Sequence, residues 1–355
     1  DTGAVREVAR TTKAQAQQTI HVQGGQLMIL VTGAGGNVGR ALLRGLRERG
    51  IDSRAFVKNV AQGRTARADG ATETVVGDIR SRDDVLGAVA GVERVWHAQP
   101  TSVIREVAIA ENIADAARTH GVEHVVYHSV IHPDIREMFH HQEKGRVEEV
   151  FRDSGLPSTF LRASHFMQNY LDFWEFVRGG VLPYPSSPDS VMGVVDGEDV
   201  AEVSARILAA PVKPHAGRTY DLSAQELTRH EMAAEWSKVL GHSVSAVRLA
   251  PDVVANPVNG IAAAVPIVVK SLQATKLRAP VQIIRGIRQS SNAKGVRDWP
   301  KESQDCYVAM MRYYDKNGLP AGDMTLLPQL LGRPATSYTE FARREARRRG
   351  ATTVG

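Results

Sequence analysis

The chain has 355 residues, of which 43% are hydrophobic and 23% charged, the composition of an ordinary globular protein. A single cysteine excludes an intramolecular disulfide, and no apolar run reaches the roughly 18 residues of a membrane span, so we expect a cytoplasmic protein. Much of the net charge of +5 lies in residues 340–355, where five arginines stand against two glutamates, which favours a solvated helix end over nucleic-acid contact.

Three regions are predicted along the chain. Residues 1–26 lack the hydrophobic segment of a secretory signal, and we expect a tail that adds nothing to the fold. Residues 27–180 are predicted to form an NAD(P)-binding Rossmann domain, with contributions from parts of 190–225. Residues 181–350 are predicted to form a substrate lobe interleaved with that domain, and within it the stretch 251–335 looks mostly helical and irregular.

A glycine turn follows the first predicted strand. The apolar run Met28–Val31 has the length of a buried strand, and three glycines at a spacing of three lead into a helical period. Gly33 permits the tight turn, Gly36 lets backbone amides approach a pyrophosphate, and Gly39 lets the helix pack closely on the strand. A turn without a ligand is the alternative. The predicted cofactor contacts here are Thr32, Gly33, Gly35, Gly36, Asn37 and Val38.

Short apolar strands then alternate with amphipathic helices. Strands are predicted at 53–57, 73–76, 92–97, 122–128 and 158–161, and helices at 40–49, 82–90, 103–119 and 143–154. This alternation predicts an α/β fold with a doubly wound parallel sheet. Further strands are expected at 219–222 and 244–249, with a helix at 228–240. Ligands bind beyond the carboxyl ends of such strands, where the predicted cofactor contacts are Lys58, Asp78, Ile79, Ala98, Gln99 and Ser129.

The residues after the second strand indicate the cofactor. A carboxylate for the ribose 2′-hydroxyl is expected about 20 residues after the glycine motif, but this chain has Lys58 there, with Arg64 and Arg67 close in sequence. We therefore expect NADP(H) rather than NAD(H), unless Lys58 is only a solvated surface lysine. Asp78 suits the adenine amino group, although it could equally cap the next helix.

Several motifs together resemble the NmrA-like branch of the atypical short-chain dehydrogenase/reductases, relatives of isoflavone reductase and triphenylmethane reductase. They are VTGAGGNVG (31–39), VGD (76–78), HHQEK (140–144), LRASHFMQN (161–169), DGEDVA (196–201) and LGRP (331–334). The resemblance covers residues 27–348. It implies NAD(P) binding, with hydride transfer to small conjugated or aromatic substrates in the catalytic members and nucleotide sensing in others.

The chain differs from the wider superfamily at the catalytic positions. The usual Tyr-x-x-x-Lys motif is absent, because His140 stands where the tyrosine would be, although Lys144 is present. Val130 stands near the place of the usual serine, so Ser129 is a fallback hydrogen-bonding group. We expect Lys144 to hold the nicotinamide ribose and His140, whose imidazole ordinarily titrates near neutrality, to help protonate the product. His141 is an alternative proton donor.

Two further clusters of side chains stand out in the sequence. The histidines His97, His128, His132, His140 and His141 gather near predicted strand ends, but their spacing fits no zinc template, so we expect no metal. Residues 165–176 are rich in aromatic side chains and are predicted to form a helix beside the nicotinamide, although a core-packing helix is the alternative. The predicted substrate contacts there are His165, Phe166, Tyr170 and Trp174.

Two functions follow. The first is an NADPH-dependent oxidoreductase that transfers hydride to a small conjugated, aromatic, quinone or imine substrate. The alternative is a non-catalytic NADP sensor that acts through a partner protein. We expect a small apolar or aromatic substrate, no nucleic acid, no membrane, and a monomer or homodimer.

Overall fold

A computed structural model describes residues 27–253, 267–274, 281, 284–286 and 295–354. The predicted tail and part of the irregular stretch 251–335 lie outside these residues. The strands are β1 Met28–Val31, β2 Asp52–Val57, β3 Glu73–Val76, β4 Arg94–His97, β5 His124–Val130, β6 Ser158–Ala163, β7 His165–Phe166, β8 Val181–Tyr184, β9 Met192–Val195, β10 Thr219–Leu222, β11 Gln225–Leu227 and β12 Ser245–Arg248.

The labelled helices flank these strands. They are α1 Asn37–Glu48, α2 Val60–Asp69, α3 Arg82–Val89, α4 Val107–Thr119, α5 Phe139–Asp153, α6 Trp174–Arg178, α7 Gly197–Ala209, α8 Arg229–Leu240, α9 Lys301–Asn317, α10 Leu326–Leu331 and α11 Tyr338–Arg348. Residues 267–274 are also helical. None of the helices in the described part of the chain has the length and hydropathy of a membrane span.

A seven-stranded sheet in the order β10-β6-β5-β4-β1-β2-β3 forms the centre of the fold, and every neighbouring pair is parallel. Its strands are apolar because both faces are covered. In β1, Ile29 and Val31 pack toward α1 and α7, whereas Leu30 packs toward α3, α4 and α5. The predicted doubly wound α/β fold is confirmed.

The later part of the chain contributes to two cores. The helix α7 packs against α1 at a close approach, where a Cβ atom on Gly45 would lie 3.5 Å from the Ala205 side chain, and β10 joins the central sheet. A second apolar cluster gathers around Trp236, Tyr338 and Phe341 and contains side chains from α6, β8, α8, α9 and α11. The segments after residue 180 therefore interleave with the Rossmann core.

Some predicted elements differ from the structure. The predicted helix at 165–176 is wrong, because this segment consists of β7, a 3₁₀ helix at Met167–Phe173 and the short α6. The pairing of His165 with Val194 draws the chain into a strand before any helix can begin. The helices α2 and α7 were not predicted. The helix α4 begins at Val107 rather than at 103, and α5 begins at Phe139 rather than at 143.

Candidate active site

A cleft of about 660 Å³ lies at the carboxyl ends of the parallel strands. The predicted site residues that line it are Gly33, Gly35, Gly36, Asn37, Val38, Lys58, Asp78, Ile79, Ala98, Gln99 and Phe166. Those that do not line it are Thr32, Ser129, His140, Lys144, His165, Tyr170 and Trp174. Trp96, His128, Gln62, Arg80 and Gln168 also line the cleft and were not predicted as site residues.

The glycine turn forms the middle of the cleft. Gly33 has a φ of +61°, a left-handed conformation that favours glycine. Gly36 is the N-cap of α1 and offers no side chain to its amides, and it lines the cleft with Asn37 and Val38, so the positive end of the helix faces the cleft. A Cβ atom on Gly39 would lie 2.9 Å from the Ala34 Cα and closer still to the Gly33 carbonyl oxygen, which explains the third glycine.

Thr32 joins the first and fourth strands and faces away from the cleft. Its buried hydroxyl accepts a hydrogen bond from the Ala98 amide at 3.0 Å and lies 3.0 Å from His97 Nδ1. This hydroxyl therefore fixes the loop after β4, whose residues Ala98 and Gln99 line the cleft.

We use the term outer end for the part of the cleft formed by Lys58, Gln62, Asp78 and Arg80, after β2 and β3. The Arg80 guanidinium binds the Asp78 carboxylate through two hydrogen bonds, at 3.0 and 2.9 Å, and holds the pKa of that carboxyl below its ordinary value. Ser81, not Asp78, caps α3. Arg80 follows Asp78 by only two residues. Its position directly after the third strand could therefore have identified it from the sequence as a cleft residue.

The two arginines near Lys58 in sequence, Arg64 and Arg67, do not line the cleft. They belong to α2, and Arg67 donates to the Thr72 carbonyl oxygen at 3.1 Å. The cations available at the outer end are therefore Lys58 and Arg80.

We use the term inner end for the part of the cleft formed by Trp96, Gln99, His128 and Phe166, at the carboxyl ends of β4 and β5 and in β7. The His128 ring stacks on Phe166 at 5.7 Å with an interplanar angle of 10°, and it lies 5.6 Å from the Trp96 ring. Trp96 is itself fixed by a hydrogen bond to Ser204 on α7. The inner end is therefore aromatic, whereas the outer end is charged.

Gln99 is a polar residue of the inner end whose side-chain amide makes no hydrogen bond to the described residues. It is buried, and neither its amide oxygen nor its amide nitrogen has a partner within the part of the chain that the structure describes. Buried amides are normally hydrogen-bonded, so this side chain is available to a bound molecule that offers both a donor and an acceptor.

Lys144 lies behind the inner end in a buried ion pair. Its Nζ donates to Glu106 Oε2 at 2.8 Å, and the two side chains are 5% and 0% exposed. The Tyr127 hydroxyl donates to the same carboxylate at 3.2 Å, and Glu143 accepts a hydrogen bond from the Glu106 amide at 2.9 Å. The structure thus places the predicted ribose ligand in contact with a carboxylate.

The two histidines proposed as proton donors are both buried on α5. Burial and the nearby Lys144 charge lower the pKa of His140 well below its ordinary value, so the expected titration near neutrality is wrong. His141 donates from Nδ1 to the His132 carbonyl oxygen at 3.1 Å, and its Nε2 lies 3.2 Å from the Tyr314 hydroxyl. Burial lowers the pKa of His141 to about 4, so both imidazoles are neutral.

Ser129 takes part in a buried ionic cluster. Its hydroxyl donates to Glu148 at 2.6 Å, and the same carboxylate accepts two hydrogen bonds from Arg162, at 2.9 and 2.7 Å. These bonds fix α5 against β5 and β6, and they occupy the hydroxyl that was predicted to reach the cofactor.

Three of the four predicted substrate contacts lie in the second core. His165 Nε2 lies 3.1 Å from the Tyr184 hydroxyl, and Trp174 packs on Trp236 at 5.6 Å between ring centroids. The Tyr170 hydroxyl is enclosed without a partner among the described residues. Phe166 is the member of this set that reaches the cleft.

The histidines near the strand ends do not converge. No group of three or more His, Cys, Asp or Glu side chains that could hold a metal ion occurs in the described segments. His97 contacts Thr32 and Tyr127, and His128 contacts Trp96 and Phe166. His132, His140 and His141 form a separate group, joined by the His141 bond to the His132 carbonyl oxygen and by the His140–His141 ring contact.

The rim beside the glycine turn is tied to the far end of the chain. Asp196, which caps α7, accepts hydrogen bonds from Gln168 and from Arg344 of α11, each at 2.6 Å. Gln168 in turn accepts the Gly197 amide at 3.0 Å, and both residues line the cleft.

The doubly wound sheet and its glycine turn define a Rossmann-type α/β protein. The chain belongs to the NmrA-like family, whose profile matches residues 26–295. This confirms the resemblance identified in the sequence.

Three known proteins illustrate this relationship. The chain is 26% identical to an NAD(P)H azoreductase of Xenophilus azovorans, over 91% of this chain and 100% of that protein. It is also 26% identical to quinone oxidoreductase 2 of Escherichia coli, over 61% of this chain and 76% of the relative. Its fold matches the triphenylmethane reductase of Citrobacter sp. in complex with NADP(H), with a TM-score of 0.67, 20% identity, and 90% and 100% coverage of the two chains.

Proposed function

We propose that this protein is an NADPH-dependent reductase of small, planar, conjugated substrates such as quinones, azo compounds, enones or cyclic imines. The observation that carries the proposal is the polarity of the cleft, which is cationic at the outer end and aromatic at the inner end. The relatives named as an NAD(P)H azoreductase and a quinone oxidoreductase support this class of reaction.

The described residues fit an extended dinucleotide. The strand order places β2 and β3 on one side of β1, and β4 and β5 on the other. The glycine turn would hold the pyrophosphate, so the adenosine half would lie at the outer end and the nicotinamide half at the inner end. Lys58 and Arg80 are the cations for a 2′-phosphate, and the unpartnered Gln99 amide suits the nicotinamide half. The bound cofactor would supply a hydride.

The inner end suits a flat substrate. His128 and Phe166 present aromatic surface there, with the buried Trp96 packed against His128, and stacking on such surface favours planar apolar molecules. Neither His140 nor His141 lines the cleft, and both are neutral, which favours acceptors that delocalise the added electron pair and need little help from a general acid.

The test is NADPH oxidation across a panel of quinones, azo compounds, enones and cyclic imines. Titrations of oxidised and reduced cofactors should accompany it, with Gly36→Val as a variant whose cofactor binding should be strongly weakened. Turnover of one substrate class by the wild-type protein, lost in Gly36→Val, is the expected result. Tight binding of NADPH without turnover of any class would favour the alternative function, a non-catalytic sensor of NADP that acts through a partner protein.

A further inference from the structure

His128 has one enclosed and one accessible side. Its Nδ1 is enclosed and has no hydrogen-bond partner in the part of the chain that the structure describes. The residue as a whole is only partly buried, and it lines the inner end of the cleft. Phe166 and Trp96 contact the ring and fix its plane.

The protonation state of the ring follows from this placement. Burial and the Lys144 charge lower the pKa of His128 to about 3, so the imidazole is neutral and carries a single N–H. Nδ1 is enclosed and lacks a described partner whether or not it carries the proton, so a proton on Nδ1 would form no hydrogen bond. A proton on Nε2 can instead reach a partner in the cleft. The Nε2–H tautomer is therefore favoured.

We propose that His128 is a substrate-binding catalytic residue, whose neutral Nε2–H donates a hydrogen bond to the anionic oxygen or nitrogen formed when a conjugated acceptor is reduced. This inference rests on the proposed function and adds the residue that stabilises the developing charge. A neutral imidazole can act in this way because its N–H is a preorganised dipole in a site of low dielectric constant.

The electron and proton balance is simple. The bound cofactor would supply a hydride to one end of the conjugated acceptor, and the two electrons of that hydride would displace a π pair toward the far oxygen or nitrogen. That atom becomes the anion to which His128 donates its hydrogen bond. One proton from water then neutralises the anion, so the substrate gains two hydrogens in total and His128 keeps its own proton.

Three substitutions separate the hydrogen bond from the stacking. His128→Phe keeps an aromatic ring between Trp96 and Phe166 but removes the donor. His128→Gln restores an amide donor near the Nε2 position, and His128→Leu removes both features. His215→Phe is the matched control, because His215 lies outside the cleft and its Nδ1 bonds the Tyr220 hydroxyl at 3.0 Å.

The first measurement is steady-state reduction of menadione by NADPH. His128→Phe should lower kcat about a hundredfold, as for the loss of one oxyanion-hole donor, with a smaller change in KM. His128→Gln should recover about a tenth of the wild-type rate, and His128→Leu should also raise KM. Wild-type rates in His128→Phe would overturn the inference while the proposed function stands.

The second measurement does not depend on turnover. Binding of para-nitrophenolate, an anion that resembles the reduced acceptor, is followed by its absorbance with and without oxidised cofactor. Its affinity should fall about tenfold in His128→Phe, as expected for a charge-assisted hydrogen bond, and stay unchanged in His215→Phe. Equal affinity in wild type and His128→Phe would refute the role of His128, even if the protein reduced no substrate at all.

Discussion

The two ends of the cleft are built in opposite ways. The outer end takes its residues from one stretch, 58–80, and its cations are exposed, with the Arg80 side chain 74% exposed. The inner end takes residues from β4, β5 and the segment after β6, and the buried Lys144–Glu106 ion pair lies behind it. We therefore expect substitutions at the outer end to change binding alone, whereas substitutions around the inner end also change stability.

The largest effect is expected from Lys144→Met. Removal of one partner leaves the buried Glu106 carboxylate without its cation, which should lower the free energy of unfolding by about 3–5 kcal/mol at neutral pH. The double variant Lys144→Met/Glu106→Gln should recover most of this loss. Urea unfolding of the wild type and the two variants measures the free energy of unfolding. If Lys144→Met were as stable as the wild type, the contrast between the two ends of the cleft would be wrong.

The pH dependence of the same variant has a definite sign. Burial raises the pKa of Glu106, so its ionisation costs stability as the pH rises through the raised pKa. Loss of the Lys144 charge should raise this pKa further. The stability deficit of Lys144→Met should therefore shrink as the pH falls toward the ordinary glutamate value of about 4.5. Urea unfolding at two pH values tests this, and a deficit that grows in acid would contradict it.

The next effect concerns the glycine turn. Gly36→Val places a branched side chain where the backbone would approach a pyrophosphate, so NADPH affinity should fall about a hundredfold or more, or at least about 2.7 kcal/mol. The unfolding midpoint of the apo protein should change little. Gly39→Val is the comparison, because its side chain would clash with the backbone of Ala34 and should lower that midpoint as well. Isothermal titration and thermal unfolding separate the two variants.

A smaller effect is expected at the outer end. Arg80→Ala and Lys58→Ala should each weaken NADPH binding about threefold to tenfold and leave NADH binding nearly unchanged, because only NADPH carries a 2′-phosphate. Arg67→Ala is the matched control, since that guanidinium binds the Thr72 carbonyl oxygen outside the cleft. Equal losses for both cofactors would remove Lys58 and Arg80 from the phosphate site.

The smallest effect is that of salt. Exposed charges are screened, so a rise from about 0.05 M to about 0.5 M ionic strength should reduce the preference for NADPH over NADH about threefold. Turnover of a neutral substrate at saturating cofactor should change less, because aromatic side chains rather than exposed charges line the inner end. A salt-independent preference would indicate that the cations of the outer end are not responsible for it.

The structural features that could be predicted from the sequence are those that depend on residues close together in the chain. The order strand, glycine turn and helix identified the centre of the cleft, and Lys58 was identified by its place after β2. The helix α7 was missed although Asp196, Glu198 and Asp199 form an acidic start typical of a helix. The helix α2 gave little signal, because its small and polar residues make a weakly amphipathic pattern.

The remaining features depend on contacts between distant residues. Lys144 and Glu106 are 38 positions apart, and no local pattern indicates that they pair. The neutral state of His140 also follows from burial, which residue spacing does not give. His128 was placed near a strand end, but its contacts with both Trp96 and Phe166 appear only when β4, β5 and β7 are assembled.

The Asp196 contact also links distant parts of the chain. The Arg344 side chain reaches back across 148 positions to the carboxylate that orders Gln168 and the first turn of α7. An affinity tag or a proteolytic cut that loosened α11 would thus remove the Arg344–Asp196 hydrogen bond, which supports Gln168 in the wall of the cleft. The change itself would lie far along the chain from the residues that line the cleft. Preparations that differ only at the carboxyl terminus should accordingly differ in cofactor affinity, which makes the integrity of α11 a variable to control in every assay.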